Sequence, residues 1–370
     1  MGRFGREEEE AVLEVLRGGE LSSFHRSFLG GNKVVEFERD FASYHNVKHA
    51  VSTTSGTTAL HTALLACGIG EGDEVITTPY TFAATSSSIV MCGAKLVYVD
   101  IDPKTYAIDP SKIEEAVTER TIAILPVHNL GHPADMDAIM EISKDFDLYV
   151  IEDAAQALGA EYNGRKAGTI GHMGCFSFQN SKVISTGEGG MVITNNDELA
   201  RRAQEIRNHG DIYGSGRFLG YNYRMTELQA AIGVEQLKKL DSLNKWQVDN
   251  FNHLAPRLPK CIKPPYVAPY ANPTFYIVGC VFDESEAGIP RDEFVRKCTE
   301  ANLREGKPRS CIGSGYRCVT YNLPFYKKFE RRCPNAEELV KNALWLDVVR
   351  QPNRMDDLDK LIDGFKGILG

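Results

Sequence analysis

The chain has 370 residues, a formal net charge of -8 and an ordinary apolar fraction of 42%, which suits one large α/β domain with a smaller companion and leaves little room for disorder beyond the termini. An acidic balance without clustered Lys and Arg excludes a nucleic-acid partner, although a single arginine can still bind a small anion. Nine cysteines stand without a C-x-x-C pair or a histidine cluster at zinc spacing, so neither a disulfide framework nor a metal site is expected. The N-terminus lacks the apolar core of a signal peptide and no apolar run reaches membrane length, so no membrane association is expected and the expected compartment is the cytoplasm.

The acidic run Glu7 to Glu10 precedes apolar residues at helical spacing over 11–18 and predicts the solvated start of a helix favoured by the macrodipole. A Gly-rich loop separates it from a second helical stretch over 33–45, and the two form an entry arm. From residue 49 the pattern becomes strand then helix: HAVSTT, a turn at Ser55-Gly56-Thr57, then TALHTALLACG with Ala59, Leu60, Ala63 and Leu64 on one face. EVITTP, KLVYVDI, AILPVH, LYVIED, CFSFQ and MVITN continue the alternation, and such short aliphatic runs between helices predict buried strands of a mostly parallel sheet. The arm and large domain extend over residues 1–245. Beyond the long helical segment MTELQAAIGVEQLKKLDSLNKWQVDNFNHLAPRL, Pro-rich LPKCIKPPYVAPYANP marks a junction. A strand in TFYIVGCVF and helices in IPRDEFVRKCTEAN and DDLDKLIDGFKGIL then predict a smaller α+β domain over 246–370.

Three features carry chemistry. Ser55-Gly56-Thr57 lies at a strand-to-helix turn, where backbone N–H groups and the positive end of the dipole suit a phosphate; the same residues also read as an N-cap with a permissive glycine. Asp153 ends the apolar strand LYVIED at the carboxyl edge of the sheet, where open α/β folds bind ligands, and it reads equally as a capping aspartate. Its neighbour Glu152 points to the opposite face. Lys182 follows FSF and precedes TGEGG. It is either a solvated loop residue or a lysine held in a cleft, where burial lowers its pKa toward the range needed for imine formation. His128, at the end of AILPVH, borders a cofactor or is a satisfied strand-end histidine, the second reading being preferred. In the order phosphate turn, strand-end acid, lysine, the joint pattern points to pyridoxal phosphate (PLP) chemistry, with an imine-forming amine and a carboxylate for a pyridinium nitrogen.

SGTTAL, PYTFAAT, PVHNLGHPADMD, VIEDAAQALGA, FSFQNSKVISTGEGG and GYNYRMTELQAAIG together resemble the DegT/DnrJ/EryC1/StrS family of PLP-dependent sugar aminotransferases, over a stretch from Phe37 to the long helix near residue 245. The resemblance implies a fold-type I enzyme: a large domain around a mainly parallel seven-stranded sheet flanked by helices, a smaller C-terminal α+β domain, and a homodimer with shared sites. It implies that Lys182 carries the cofactor as an imine and that Asp153 holds the pyridine nitrogen. Phe82 would stack on the ring and Gln156 would bind the ring hydroxyl. The Gly56 and Thr57 amides with the Ser177 hydroxyl would hold the phosphate, and Asn222 would reach it from the neighbouring subunit. The implied donor is L-glutamate or L-glutamine, and the acceptor a keto sugar, nucleotide-linked in many members, or a keto cyclitol.

Lysine at position 182, where dehydratases of the family carry histidine, favours transamination. Gln179 stands where nucleotide-sugar members often have histidine and resembles cyclitol members and aminohydroxybenzoate synthases, which leaves the acceptor class open. Arg224 and Arg317 are candidate anion contacts for the substrate. The alternatives are an aminohydroxybenzoate-synthase-like or other sugar-modifying enzyme of the same family, a non-catalytic PLP-binding regulator, and an α/β binding protein without PLP.

Overall fold

Seven short aliphatic runs pair into one sheet in a computed structural model that describes residues 3–22, 24, 27–210, 219–301 and 311–370. They are β1 (His49–Thr53), β2 (Glu74–Thr77), β3 (Lys95–Tyr98), β4 (Thr121–Ile124), β5 (Tyr149–Asp153), β6 (Met173–Ser177) and β7 (Gly190–Thr194). Their spatial order is β1-β7-β6-β5-β4-β2-β3. The run from β6 to β3 is parallel, whereas β7 is antiparallel to both of its neighbours. The reason is the connection: β6 and β7 are joined by a glycine-containing loop rather than by a crossover helix, and only an antiparallel pair can be closed that way. That loop carries Lys182.

Helices cover both faces: α1 (Arg6–Gly18), α2 (Asn32–His45), α3 (Gly56–Ala66), α4 (Ala83–Met91), α5 (Met136–Asp145), α6 (Asp197–Arg207) and α7 (Glu227–Leu254). α3 is buried on nearly every side, Ala59, Leu60, Ala63 and Leu64 being at most 1% exposed and the polar His61 and Thr62 buried with them, so burial is not confined to one apolar face. On the other face Phe176 and Phe178 pack against α2, with ring centroids 5.1 Å apart for both Phe41–Phe176 and Phe37–Phe178. Strand alternation then turns Ser177 the opposite way, toward the start of α3. Among the described helices none is long and apolar enough to cross a membrane, and no group of His, Cys, Asp and Glu among the described residues is placed to hold a metal ion.

The acidic run does open α1, with Glu7, Glu8 and Glu9 in its first turn, but Glu8 is not solvated. It is buried, accepting from the Gly5 amide at 2.7 Å, Gln236 Nε2 at 2.7 Å and Lys239 Nζ at 2.7 Å. The carboxylate is therefore a tie between α1 and α7, which periodicity cannot reveal because the partners lie more than two hundred residues away.

α7 runs unbroken through residue 245, and Phe251 and Leu254 near its end enter the core of the smaller C-terminal α+β domain. That domain is built on β8 (Ile262–Lys263), β9 (Val278–Phe282), β10 (Cys311–Gly313) and β11 (Ala343–Asp347), antiparallel in the order β8-β9-β11-β10. Phe294 of α8 (Arg291–Glu300) stacks on Phe282 at 5.0 Å and meets Phe365 of the C-terminal helix at 5.3 Å. The chain also returns to the large domain, where Ala271 and Asn272 pair antiparallel with Tyr162 and Glu161.

Candidate active site

The carboxyl ends of β5 and β6, the start of α3, the loop after β6 and residues from the C-terminal domain enclose a cavity of about 580 Å³, a volume that suits a cofactor together with a small substrate. Gly56 and Thr57 are the first two residues of α3, so their N–H groups have no intrahelical partner and face the positive end of the dipole. Ser55 caps the helix: its Oγ accepts from the Thr58 amide at 3.2 Å and its own amide donates to Thr58 Oγ1 at 2.9 Å. Capping and an anion cradle thus coexist, since the cap occupies a different amide. Glycine at 56 is a steric requirement, because a Cβ there would stand 2.7 Å from Ser177 Cβ.

Asp153 is buried at the end of β5, with Oδ2 accepting from Thr85 Oγ1 at 2.8 Å and Oδ1 from the Ala155 amide at 3.2 Å. Burial pushes its carboxyl above the ordinary aspartate range, against the pull of Thr85, Ala155 and the Lys182 charge. A cation placed against it would favour its ionised form further. Glu152 points the other way, as strand alternation requires, and is saturated. It accepts from His128 Nε2 at 2.8 Å and from the amides of Gly168 and Ile170 at 2.7 Å and Gly171 at 2.6 Å. His128 is satisfied at both nitrogens, with Nδ1 accepting from the Ala134 amide at 3.0 Å, and takes no place in the cavity.

Lys182 lines the cavity with its amine 4.4 Å from the Tyr276 ring centroid. Burial lowers its pKa below the usual lysine value, opposed by Tyr276 and Asp153. The loop is clamped from both ends of the sequence. Arg3 donates to the carbonyl oxygens of Asn180, at 2.7 Å, and Lys182, and Arg350 donates to that of Ser181.

Gln156 is held by two partners, its Oε1 accepting from the Leu130 amide at 2.9 Å and its Nε2 donating to Tyr316 Oη at 3.1 Å. These bonds fix the amide with nitrogen toward the cavity. Phe82 caps α4 and is 65% exposed, so it belongs to the cavity mouth and not to the core. Gln179 lines the cavity and folds back, accepting from the Ser181 amide at 2.6 Å.

Three residues singled out from sequence do not line this cavity within one chain. Asn222 is exposed and bridges to Asn208; Arg224 donates to Asn208 Oδ1 at 3.0 Å and lies 5.8 Å from the Phe24 centroid; Arg317 is exposed. Burial and the Arg207 charge depress the Arg224 pKa. Conversely, Thr85, Tyr276, Tyr316 and Trp345 line the cavity without having been expected there. Thr85 stands one turn after Phe82 in TFAAT and could have been found from that spacing. The other three come from the C-terminal domain, where no motif marks them.

These residues fit PLP. The glycine-gated cradle at a helix start suits a phosphate, the desolvated carboxylate suits a pyridinium nitrogen, and the desolvated amine suits a carbonyl. Fold and site define a PLP-dependent aminotransferase of fold type I. The model of the DegT/DnrJ/EryC1/StrS aminotransferase family matches residues 3–365, and the chain belongs to that family. It is 39% identical over 374 residues to an uncharacterized protein of Methanocaldococcus jannaschii, covering 95% of this chain and 92% of that one. It is 39% identical over 351 residues to an L-glutamine:2-deoxy-scyllo-inosose aminotransferase of Streptoalloteichus tenebrarius, covering 90% of this chain and 81% of that one. Among solved structures, an aminotransferase from Psychrobacter cryohalolentis superposes with a TM-score of 0.90 at 31% identity, covering 99% of this chain and 97% of that one.

Proposed function

We propose that this aminotransferase takes its amino group from L-glutamate or L-glutamine and delivers it to a keto sugar or keto cyclitol. The observation that carries the reading is the convergence of Lys182, Asp153 and the start of α3 on one cavity. The Streptoalloteichus relative, named for glutamine and an inosose, supports an amino-acid donor acting through its α-amine and a polyhydroxylated ketone acceptor.

In this reading Asp153 pairs with the pyridine nitrogen, Gln156 Nε2 with the ring hydroxyl, and the Gly56 and Thr57 amides with Ser177 Oγ hold the phosphate. Phe82 covers the ring face. When bound, PLP supplies an electron sink for the bonds at the amine-bearing carbon. Lys182 Nζ, once free, accepts the proton from that carbon of the donor and returns a proton across the cavity, and in the second half-reaction it serves the acceptor in the opposite direction. Gln179, at the wall, contacts the acceptor. The active form is a cytoplasmic homodimer in which Asn222 of the partner subunit reaches the phosphate, while Arg224 and Arg317 supply anion contacts. The exposure of Asn222 in a single chain is consistent with that role.

The test is the visible spectrum of the purified protein during separate additions of L-glutamate and L-glutamine. Bleaching by one donor and recovery of the band on adding a keto sugar or keto cyclitol identifies both substrates. Lys182→Ala is expected to lower amino transfer by at least about a thousandfold. A protein without a borohydride-reducible chromophore, or a Lys182→Ala variant with intact transfer, overturns the proposal.

A further inference from the structure

The Lys182 amine rests on an aromatic stack contributed by the C-terminal domain. The Tyr276 ring lies 4.4 Å below Nζ, and its hydroxyl is 2.8 Å from Ser181 Oγ on the same loop. Arg350 covers the same ring, its guanidinium carbon 4.5 Å from the centroid. That guanidinium is immobilised in turn: it donates to the Tyr276 carbonyl at 3.1 and 2.8 Å and to the Ser181 carbonyl, and it pairs with Asp347 at 2.9 Å. The preceding residue, Phe275, has φ 51°, the left-handed region that an aromatic residue rarely adopts. The backbone thus turns sharply, sending Phe275 to stack on Phe251 at 3.6 Å while Tyr276 lines the cavity.

Such a brace answers a conflict in what the amine must do. Burial favours neutral lysine, which helps it attack a carbonyl but makes it a weak proton acceptor. Of the charged and titratable groups around it, Tyr276 itself and then Asp153 support the ammonium form and Arg350 opposes it, while Tyr316 and Asp347 face Tyr276. The face of an aromatic ring stabilises an ammonium without adding a formal negative charge that would tie the amine into a permanent ion pair.

We propose that Tyr276, braced by Arg350, is a positioning residue whose ring face keeps the Lys182 amine in place and basic enough to take up a proton. The inference rests on Lys182 being the proton carrier of the proposed reaction. It concerns the ring face; the hydroxyl, which meets Ser181 Oγ at 2.8 Å and also acts on the amine, is separated from it by the Tyr276→Phe variant.

The test is the pH titration of Lys182 in the full-length chain after hydroxylamine has released any bound carbonyl compound. The amine is labelled with trace acetic anhydride across a pH series and read by mass spectrometry of its peptide. The midpoint is the readout, because accessibility changes the labelling rate at every pH but not the midpoint. Tyr276→Leu is expected to lower the midpoint by about one pH unit, and Tyr276→Phe to leave it within a few tenths of the original. Native circular dichroism of both variants identifies folded protein. An unmoved midpoint in folded Tyr276→Leu overturns the proposal, as does a shift in Tyr276→Phe as large as that in Tyr276→Leu. Failure of the underlying functional reading is distinguishable: borohydride reduction of the untreated protein would then leave Lys182 unmodified, whatever its titration.

Discussion

Glu152 and Asp153 are consecutive acids on one strand, both buried, and their surroundings drive them in opposite directions. The Glu152 carboxylate is met by a histidine and three backbone amides, and these partners hold its pKa below the usual range even though burial is the largest single influence. Asp153 has one hydroxyl and one amide, and burial wins. The saturated acid ties the loop at Gly168–Gly171 to the sheet. The under-satisfied one lines the cavity, where a ligand cation can complete its shell. A protein can bury two neighbouring carboxylates at opposite cost because alternation in a strand gives each a separate face.

The contrast can be broken most severely by exchanging the two roles. Asp153→Asn is expected to lower amino transfer by about a thousandfold or more without loss of urea stability, which should be unchanged at acid pH and somewhat higher toward neutral pH, because no saturated network is lost and the buried charge is removed. Glu152→Ala should do the reverse in stability, costing about 3–5 kcal/mol in urea unfolding by stranding His128 and three amides. Their pH signatures differ in sign. Glu152, with a depressed folded pKa, contributes stability that is complete above its unfolded pKa and is lost as pH falls through the folded value. Asp153 in the ligand-free chain, with a raised folded pKa, imposes a penalty that is absent below its unfolded pKa and grows as pH rises toward the folded value. Unfolding free energies measured from about pH 3 to 7 should therefore decline less on the acid side in Glu152→Ala, the other depressed carboxylates such as Glu8 and Glu74 keeping part of the decline, and become steeper with pH in Asp153→Asn.

A smaller effect is expected at the cradle. Gly56→Ala places a methyl group against Ser177, and a cost of about 1–3 kcal/mol to the cradle in its binding geometry corresponds to PLP binding weaker by roughly five- to 150-fold in an absorbance titration. Weakest of all, Thr85→Val removes the single side-chain donor to Asp153 among the described residues, changing stability by no more than about 1 kcal/mol. It should raise the Asp153 pKa further, so the acid limb of PLP affinity moves to higher pH. An unmoved limb would mean that Thr85 does not tune this carboxylate.

Much of this architecture was legible in the sequence because its signals are local. Each of the seven strands could be read from a short aliphatic run, and the turn at Ser55-Gly56-Thr57 from three adjacent residues. The burial of Glu8 was not legible, since the sequence shows an acidic run and only folding brings Gln236 and Lys239 onto one member of it. Nor was the contribution of Tyr276, Tyr316 and Trp345, whose short flanking segments carry no distinctive spacing. The expected division at 245 lies inside α7, whose last turns bring Phe251 and Leu254 into the C-terminal core, a change of packing partner that carries no local signal in the sequence.

By itself, then, the sequence determined the alternation of strand and helix, the order of phosphate turn, acid and lysine, and the family to which they belong, all of which depend on neighbours in the chain. Only the tertiary structure decided which acid is satisfied and which faces the cavity with an incomplete shell, and what lies beneath the Lys182 amine. Those are matters of desolvation and partner geometry, and the partners are set by packing between segments as remote as Lys182, Tyr276 and Arg350.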